Sequence, residues 1–357
     1  MKKRGVTILA VGDRKDYDSY RKFYKERRFF IQKGFDYASV DYRGLSERRL
    51  PAVGTDKILA FLFFPFYYWD KYIEHRNYRG IYGSLVFYRK FQKVCGELSK
   101  TLKNAYNDKD IAFINNPESC AYYRDKLEIK KGLARSGVAT PKVHRTSGVK
   151  DVERMLNRGH NLFVKPRCGS MGKGITYLSW PEWQTNFAVR GARIISRRSD
   201  YGWRFKDVTG DHSFLRQLLR GDMMVEEAVN MLIVDKLKID LRIYTFFGKV
   251  VYMYPRKNDP DKVTTNITQG GKGAPEVLAK LPKALVSKAR KIAEKASKVL
   301  GFNMAGIDVA LDRNLKDAYV LDINAFPGFP RRRTFNISRA MGKELITLIN
   351  KKKIAFK

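Results

Sequence analysis

The chain is poor in cysteine, histidine and acidic residues, and it has no long uninterrupted apolar run. Each shortage argues against a class of protein. Its three cysteines, Cys95, Cys120 and Cys168, are odd in number, widely spaced and without a metal-type pair. That pattern argues against a disulfide framework or a zinc site and points to the reducing cytoplasm. The most apolar stretch, Leu59 to Trp69, is interrupted by Pro65 and is too short to cross a bilayer as a helix, so it reads as a buried strand running into a loop. At the N-terminus, charge returns at Asp13 before a signal-peptide core accumulates, and Val6–Val11 reads as a first strand. Acidic residues number 36 against 71 lysines and arginines, a formal charge of +35. The partner is therefore expected to be polyanionic: nucleic acid, a phosphorylated metabolite, an anionic membrane or an acidic peptide all fit that sign.

What the chain has is core material, with 357 residues of which 44% are hydrophobic and 13% aromatic, enough for two or three domains. The runs VTILAV, YASVDY and KILAFLFF, separated by basic segments, suggest an opening α/β unit. The strand DIAFINN ends at Asn116-Pro117, a helix start, and a helical region is expected from there to Gly137. A second unit then begins with a helix, VKDVERML, and the strand NLFVKP. The expected domains are residues 1–116, 117–228 and 229–357. Behind Pro282, Leu285, Ala289, Ile292, Ala296 and Val299 recur at helical spacing, with Lys288, Lys291, Lys295 and Lys298 on a solvated opposite face.

Three segments carry chemistry. In the first, Phe163 to Leu178, β-rich residues flank a loop with Gly169, Gly172 and Gly174, and the spacing is neither that of a P-loop nor that of a Rossmann fingerprint. Backbone N–H groups of such a hairpin can approach phosphate oxygens, with Lys165 on the incoming strand to neutralise charge. The plain alternative is a simple turn. In the second, Ala305–Leu311 and Ala318–Gly328 read as adjacent strands, with Asp322 and Asn324 sharing a face and Asp308 inside an apolar run. Buried together, these groups need cations or donors, and three oxygen ligands suit Mg²⁺; either Asp alone would more simply pair with an arginine. In the third, Lys238 to Phe247, Asp240 and Arg242 share a face, with Arg256 beyond the turn at Gly248 and then Asn266, Gly270 and Gly271. Arginine forks suit a phosphoryl group in transfer, and Asp240 would orient one of them.

The order Arg124-Asp-Lys126, VKPRCGSMGKGI, MVEEAV, KIDLRIY, TTNITQGG, GID and LDINAFPG resembles the ATP-grasp superfamily from about Asp110 to Gly328. Within it the chain looks like carboxylate–amine ligases of the RimK kind, and KPRCGSMGKGI is especially similar to the YheC/YheD spore-coat-associated group. The resemblance implies a mixed α/β and α+β architecture, the ATP-grasp fold, in which two α+β subdomains clasp ATP behind a small N-terminal α/β domain. It implies ATP with Mg²⁺ or Mn²⁺ as cofactor. Lys126 and Lys165 would contact phosphates, Gly169, Ser170, Met171, Gly172 and Gly174 would cover them, and Glu226 and Glu227 would run past adenine and ribose. Asp308, Asp322 and Asn324 would hold the metal, with Asp322 where these ligases usually have Glu. Arg242, Arg256 and Asn266 would bind an acyl phosphate formed when a carboxylate attacks the γ-phosphate and before an amine displaces phosphate. LDINAFPG also looks like the metal segment of inositol-phosphate kinases, and a non-catalytic coat or nucleic-acid-binding protein is a third reading; TTNITQGG favours the ligase. The basic segment Arg190 to Arg220, with Arg193, Arg197, Arg198, Arg204 and Lys206, and the run Arg331-Arg332-Arg333 are expected to recruit an anionic acceptor. An acidic peptide or protein tail is favoured over nucleic acid.

Overall fold

A strand buried on both faces needs apolar residues at every position, and the opening runs of this chain have them. The computed structural model describes residues 4–16, 19–73, 81–190, 193–195 and 202–356. In it β1 (Val6–Val11), β2 (Asp36–Val40), β3 (Lys57–Leu62) and β4 (Asp110–Ile114) form an all-parallel sheet in the order β2-β1-β3-β4. The alternation of β1 divides its side chains between two cores. Val6, Ile8 and Ala10 pack with Phe23, Phe30 and the C-terminal helix Ile337–Asn350, while Leu9 and Val11 pack with Leu98 and Leu102 of the helix Leu85–Ala105.

Two antiparallel sheets follow. β5 (Val143–His144), β6 (Leu162–Pro166), β7 (Thr176–Leu178), β8 (Trp183–Thr185), the separate hairpin β9 (Ala188–Arg190) and β10 (Arg193–Ile195), then β11 (Lys206–Asp207) and β12 (Met223–Glu227) make up the middle of the chain. Six of them form a sheet in the order β11-β8-β7-β6-β12-β5. The last sheet is β16-β15-β14-β17-β18, built from β14 (Leu237–Phe246), β15 (Lys249–Asn258), β16 (Lys272–Gly273), β17 (Met304–Leu311) and β18 (Ala318–Asn324), with β13 (Ile233–Val234) paired to β14. In β14, Ile239, Leu241 and Ile243 pack against the buried stripe Leu285, Ala289, Ala293 and Ala296 of the helix Lys283–Val299. Asp240, Arg242 and Tyr244 take the opposite face by the period of two.

The mixed architecture agrees with the sequence reading, but the helical region 117–137 divides in two. Pro117–Tyr122 and Lys126–Arg135 are separate helices because Asp125 caps the second, its Oδ1 accepting from Leu127 N at 2.9 Å and its carboxylate gripping Arg167. Lys126 N also donates to the Arg167 carbonyl at 2.9 Å, which ties this helix start to the end of β6. The segment 190–220 is built, not a loop throughout: it holds β10, β11 and the helix His212–Leu219, and Trp203 is buried against Phe187 and Tyr82. Arg197, Arg198 and Tyr201 lie outside the described residues. Of the run after β18, Arg332 donates to buried Glu26 at 2.6 Å and so helps tie the C-terminal segment to the start of the helix Arg27–Gln32. Among the described residues no helix is long and apolar enough to cross a membrane.

Asn116 caps the helix at Pro117 as expected, accepting from Glu118 N at 2.9 Å and Ser119 N at 3.1 Å. Asn116→Ala should destabilise the protein by about 1 kcal/mol, read as a lower urea midpoint at unchanged m-value.

Candidate active site

The site is assembled where the face of β14, β15, β17 and β18 not covered by the Lys283–Val299 helix meets the β6–β7 hairpin. A cleft of about 770 Å³ opens there, and a smaller cavity of about 120 Å³ shares its wall at Lys126, Asp308 and Asp322. Register explains the convergence: Asp240 lies opposite Arg256, Arg242 opposite Asp308, and Asp308 opposite Asp322, so one sheet face carries all five. Arg256 grips Asp240 with both ends of its fork, Nε donating at 2.8 Å, and its other nitrogen lies 3.1 Å from Asp308. Arg242 Nη1 donates to Asp308 at 2.7 Å. Gly306 makes room for this arginine, since a Cβ there would sit 2.5 Å from its guanidinium and 2.6 Å from Pro327. Burial alone would raise the Asp308 carboxyl, but Arg256 and Arg242 outweigh it and hold it below the usual carboxylate range. For Asp240 burial wins, helped by the neighbouring Asp308, and its carboxyl is pushed up despite Arg256.

Lys126, placed by the Asp125–Arg167 pair, reaches across to the Asp322 carboxylate. Asp308, Asp322 and Asn324 offer oxygen donors only, and among the described residues no three His, Cys, Asp or Glu side chains form a metal cluster. Two carboxylates with an amide oxygen fit a hard cation such as Mg²⁺, which completes its shell from water and phosphate.

The glycine hairpin closes the other side. Met171 and Gly172 have positive φ, 59° and 68°, and the turn is latched from several sides. Thr268 Oγ1 donates to the Met171 carbonyl at 2.7 Å, Asn186 Nδ2 donates to the Gly172 carbonyl at 2.7 Å, and Ser170 N donates to Tyr82 OH at 3.1 Å. A Cβ on Gly172 would come within 2.9 Å of the Asn266 amide, so glycine permits this close approach. Asn266 itself caps the turn Ile267–Gln269.

Of the residues that the resemblance assigns to nucleotide, metal or acyl phosphate, the two cavities bring all but one to their walls: Lys126, Lys165, Gly169, Ser170, Met171, Gly172, Glu226, Glu227, Arg242, Arg256, Asn266, Asp308, Asp322 and Asn324. Gly174 is outside both; its φ is 72° and a Cβ there would come within 2.7 Å of Phe187 and Pro166, so glycine is needed for packing. Glu226 is buried between Lys165, which binds one oxygen, and Lys130, 3.0 Å from the other. Glu227 is half-buried beside two histidines, its Oε1 3.0 Å from His144 Nε2 and 3.2 Å from His160 Nδ1. Sequence reasoning missed Lys130, Tyr82, Asn186 and Thr268. A lysine on the apolar side of the Lys126–Arg135 helix, four residues after Lys126, was the available signal for the first; the others make single long-range bonds that leave none.

A family model described as YheC/D-like ATP-grasp matches residues 111–349. The chain belongs to that ATP-grasp family. A probable alpha-L-glutamate ligase of Stutzerimonas stutzeri is 26% identical over 239 residues, 66% of this chain and 65% of the relative, so the chain spans somewhat less than two thirds of that protein's length. Among solved structures, the ATP-grasp ligase PsnB complexed with minimal precursor superposes with a TM-score of 0.59 at 13% identity, covering 96% of this chain and 99% of that one. A RiPP-associated ATP-grasp ligase of Chryseobacterium gregarium, in complex with ADP and a leader and core peptide, gives 0.57 at 12% identity, with 96% of each chain covered. At such identities the likeness shows the ATP-grasp fold.

The Glu226 triad gives this site a pH signature. Burial alone would raise the Glu226 carboxyl, but Lys130 and Lys165 overcome it and hold it at about 2 against an ordinary 4.5. A depressed carboxyl contributes stability that is complete above the unfolded value and is lost as pH falls toward the folded one. Urea unfolding should therefore show a loss between about pH 5 and pH 2 that is smaller in Glu226→Gln. Lys130→Met, which leaves a buried carboxylate half-compensated, should cost on the order of 3–5 kcal/mol at pH 7, and adding Glu226→Leu should recover much of it.

Proposed function

We propose that this protein joins a carboxylate to an amine at the expense of ATP, releasing ADP and phosphate. The observation that carries this reading is the ion-pair face of β14, β15, β17 and β18, where two arginine forks and three aspartates, with Lys126 beside them, stand opposite a glycine hairpin. The probable glutamate-ligase relatives support it, as does the ATP-grasp membership.

In this reading Lys126 and Lys165 neutralise the nucleotide phosphates, and the backbone of Gly169 to Gly172 covers them. Glu227 lies toward the ribose, while Glu226 acts by holding Lys165. Asp308, Asp322 and Asn324 hold Mg²⁺, which would supply Lewis-acid polarisation of the phosphoryl oxygens. The carboxylate oxygen attacks the γ-phosphorus and ADP leaves with the bridging oxygen's electron pair. Arg242 and Arg256 then bind the acyl phosphate, their orientation fixed by Asp308 and Asp240, and Asn266 adds an amide at the hairpin. The amine nitrogen attacks the acyl carbon, phosphate departs and the nitrogen loses its proton. The amine belongs to an anionic acceptor, an acidic peptide or protein tail, drawn in by the exposed Arg190, Arg193 and Arg204 and by the surplus of 35 positive charges.

The test is a screen of carboxylates with amines for ADP release and product. Amide formation is expected; ADP with a phosphorylated alcohol would establish a kinase instead. Asp322→Ala should fold normally by circular dichroism and lose Mg²⁺-dependent turnover, and retention of full activity would remove the metal assignment. Lys165→Ala should weaken ATP binding by about 1–3 kcal/mol in a calorimetric titration.

A further inference from the structure

The face of β14 and β15 that carries the ion pairs does not stay charged. Cross-strand partners pass from Asp240 opposite Arg256, to Arg242 opposite Tyr254, to Tyr244 opposite Tyr252. Within four residues of strand, roughly 13 Å, the cleft floor changes from guanidinium to ring. Tyr252 and Tyr254 stack with centroids 5.6 Å apart, and Tyr252 lies parallel to Phe335 at 4.1 Å. A second group of rings, Phe63 with Tyr20 at 5.5 Å and Phe329 at 6.1 Å, lines the same cleft from the first domain and the segment after β18. Ser19 clamps these two sides together, its Oγ donating to the Pro327 carbonyl at 2.7 Å and accepting from Phe329 N at 3.1 Å. None of these rings belongs to the nucleotide machinery described above, and the sequence reading gave them no role.

The electrostatics of the two ends differ as well. At the aromatic end the cleft carboxylate is Asp16, buried and accepting from Tyr67 N at 2.7 Å and Asp13 N at 3.3 Å. Burial pushes it up to about 6, and Asp13 and Asp70 add repulsion. A second carboxylate placed there would meet like charge in a poorly hydrated wall. The cleft wall also holds Arg124, Lys272 and Arg331, all less buried than Arg242 and Arg256; the buried forks, away from Asp16, are the place for an anionic head, and an apolar body belongs at the tyrosine end. The aromatic walls favour a flat body, because rings prefer offset or edge contacts with other rings. A cleft of about 770 Å³ has room for such a molecule beside the reacting phosphoryl group.

We propose that the activated substrate is a monocarboxylic acid with an aromatic body, its carboxylate at Arg242 and Arg256 and its ring against Tyr252 and Tyr254. This rests on the ligase reading, and it separates the two substrates: the acid is aromatic, while the anionic character belongs to the amine acceptor. The test supplies Mg-ATP with hydroxylamine as the amine and compares 3-phenylpropanoate, hexanoate and glutamate for hydroxamate formation. In parallel, 3-phenylpropanoate is titrated into the protein held with a non-hydrolysable ATP analogue. The aromatic acid is expected to have a KM about tenfold below the other two. Tyr252→Ala and Tyr254→Ala should raise its KM and its Kd about tenfold with the KM for ATP unmoved, and Tyr254→Phe, which keeps the ring, should restore both. Preference for glutamate, or a Kd indifferent to Tyr254→Ala, overturns the inference while hydroxamate formation keeps the ligase reading. Tight, Tyr254-dependent binding of 3-phenylpropanoate with no hydroxamate from any acid supports the aromatic subsite and sinks the ligase reading instead.

Discussion

A carboxylate buried almost completely and held between two ammonium groups is the constraint on which the site depends. Glu226 takes Lys165 from the hairpin strand and Lys130 from the helix that begins at Lys126. The Lys130 ammonium also donates to the carbonyls of Val320 at 3.2 Å and Leu321 at 3.0 Å, where the β17–β18 register shifts immediately before Asp322. One buried charge cluster thus joins three elements: the strand that presents the phosphate lysine, the helix that presents Lys126, and the strand that presents Asp322. Removing Glu226 takes the shared partner from both lysines, and removing either lysine leaves the carboxylate half-compensated in a low dielectric, so the arrangement is held as a unit.

The second constraint is the neutrality of the sheet face. Arg242, Arg256 and Lys126 face Asp240, Asp308 and Asp322, a near balance of charge in a protein whose total is strongly positive. The surplus lies elsewhere, on exposed positions such as Arg190, Arg193 and the lysines of the Lys283–Val299 helix. Surface charge of that kind governs encounter and salt dependence, whereas paired buried charge governs geometry. The division lets the cleft hold arginines rigidly by their carboxylate partners while the exterior attracts anions at long range.

Thr268 from across the cleft and Asn186 from the end of β8 latch the hairpin carbonyls and hold the turn toward Asn266. These are neutral hydrogen bonds at a strained glycine turn, weak enough individually to be exchanged for phosphate contacts. The stronger ionic link, Lys165 to Glu226, lies at the base of the hairpin on β6.

The sequence by itself determined the period-two faces, the capped helix at Asn116 and the family motifs, because each is a local pattern of residue type and spacing. It placed Asp240 and Arg242 on one face and Asp322 beside Asn324, and the strands follow that reading. What only the tertiary structure decided is pairing across long separations. Strand register set Arg242 against Asp308 and Arg256 against Asp240, since alternation fixes a face but not a partner. The break of the helical region at Asp125 depended on Arg167, 42 residues away, and the compensation of buried Glu226 depended on a lysine from the distant helix Lys126–Arg135. The aromatic floor was equally hidden, for Tyr244, Tyr252 and Tyr254 become one surface only when β14 folds back along β15.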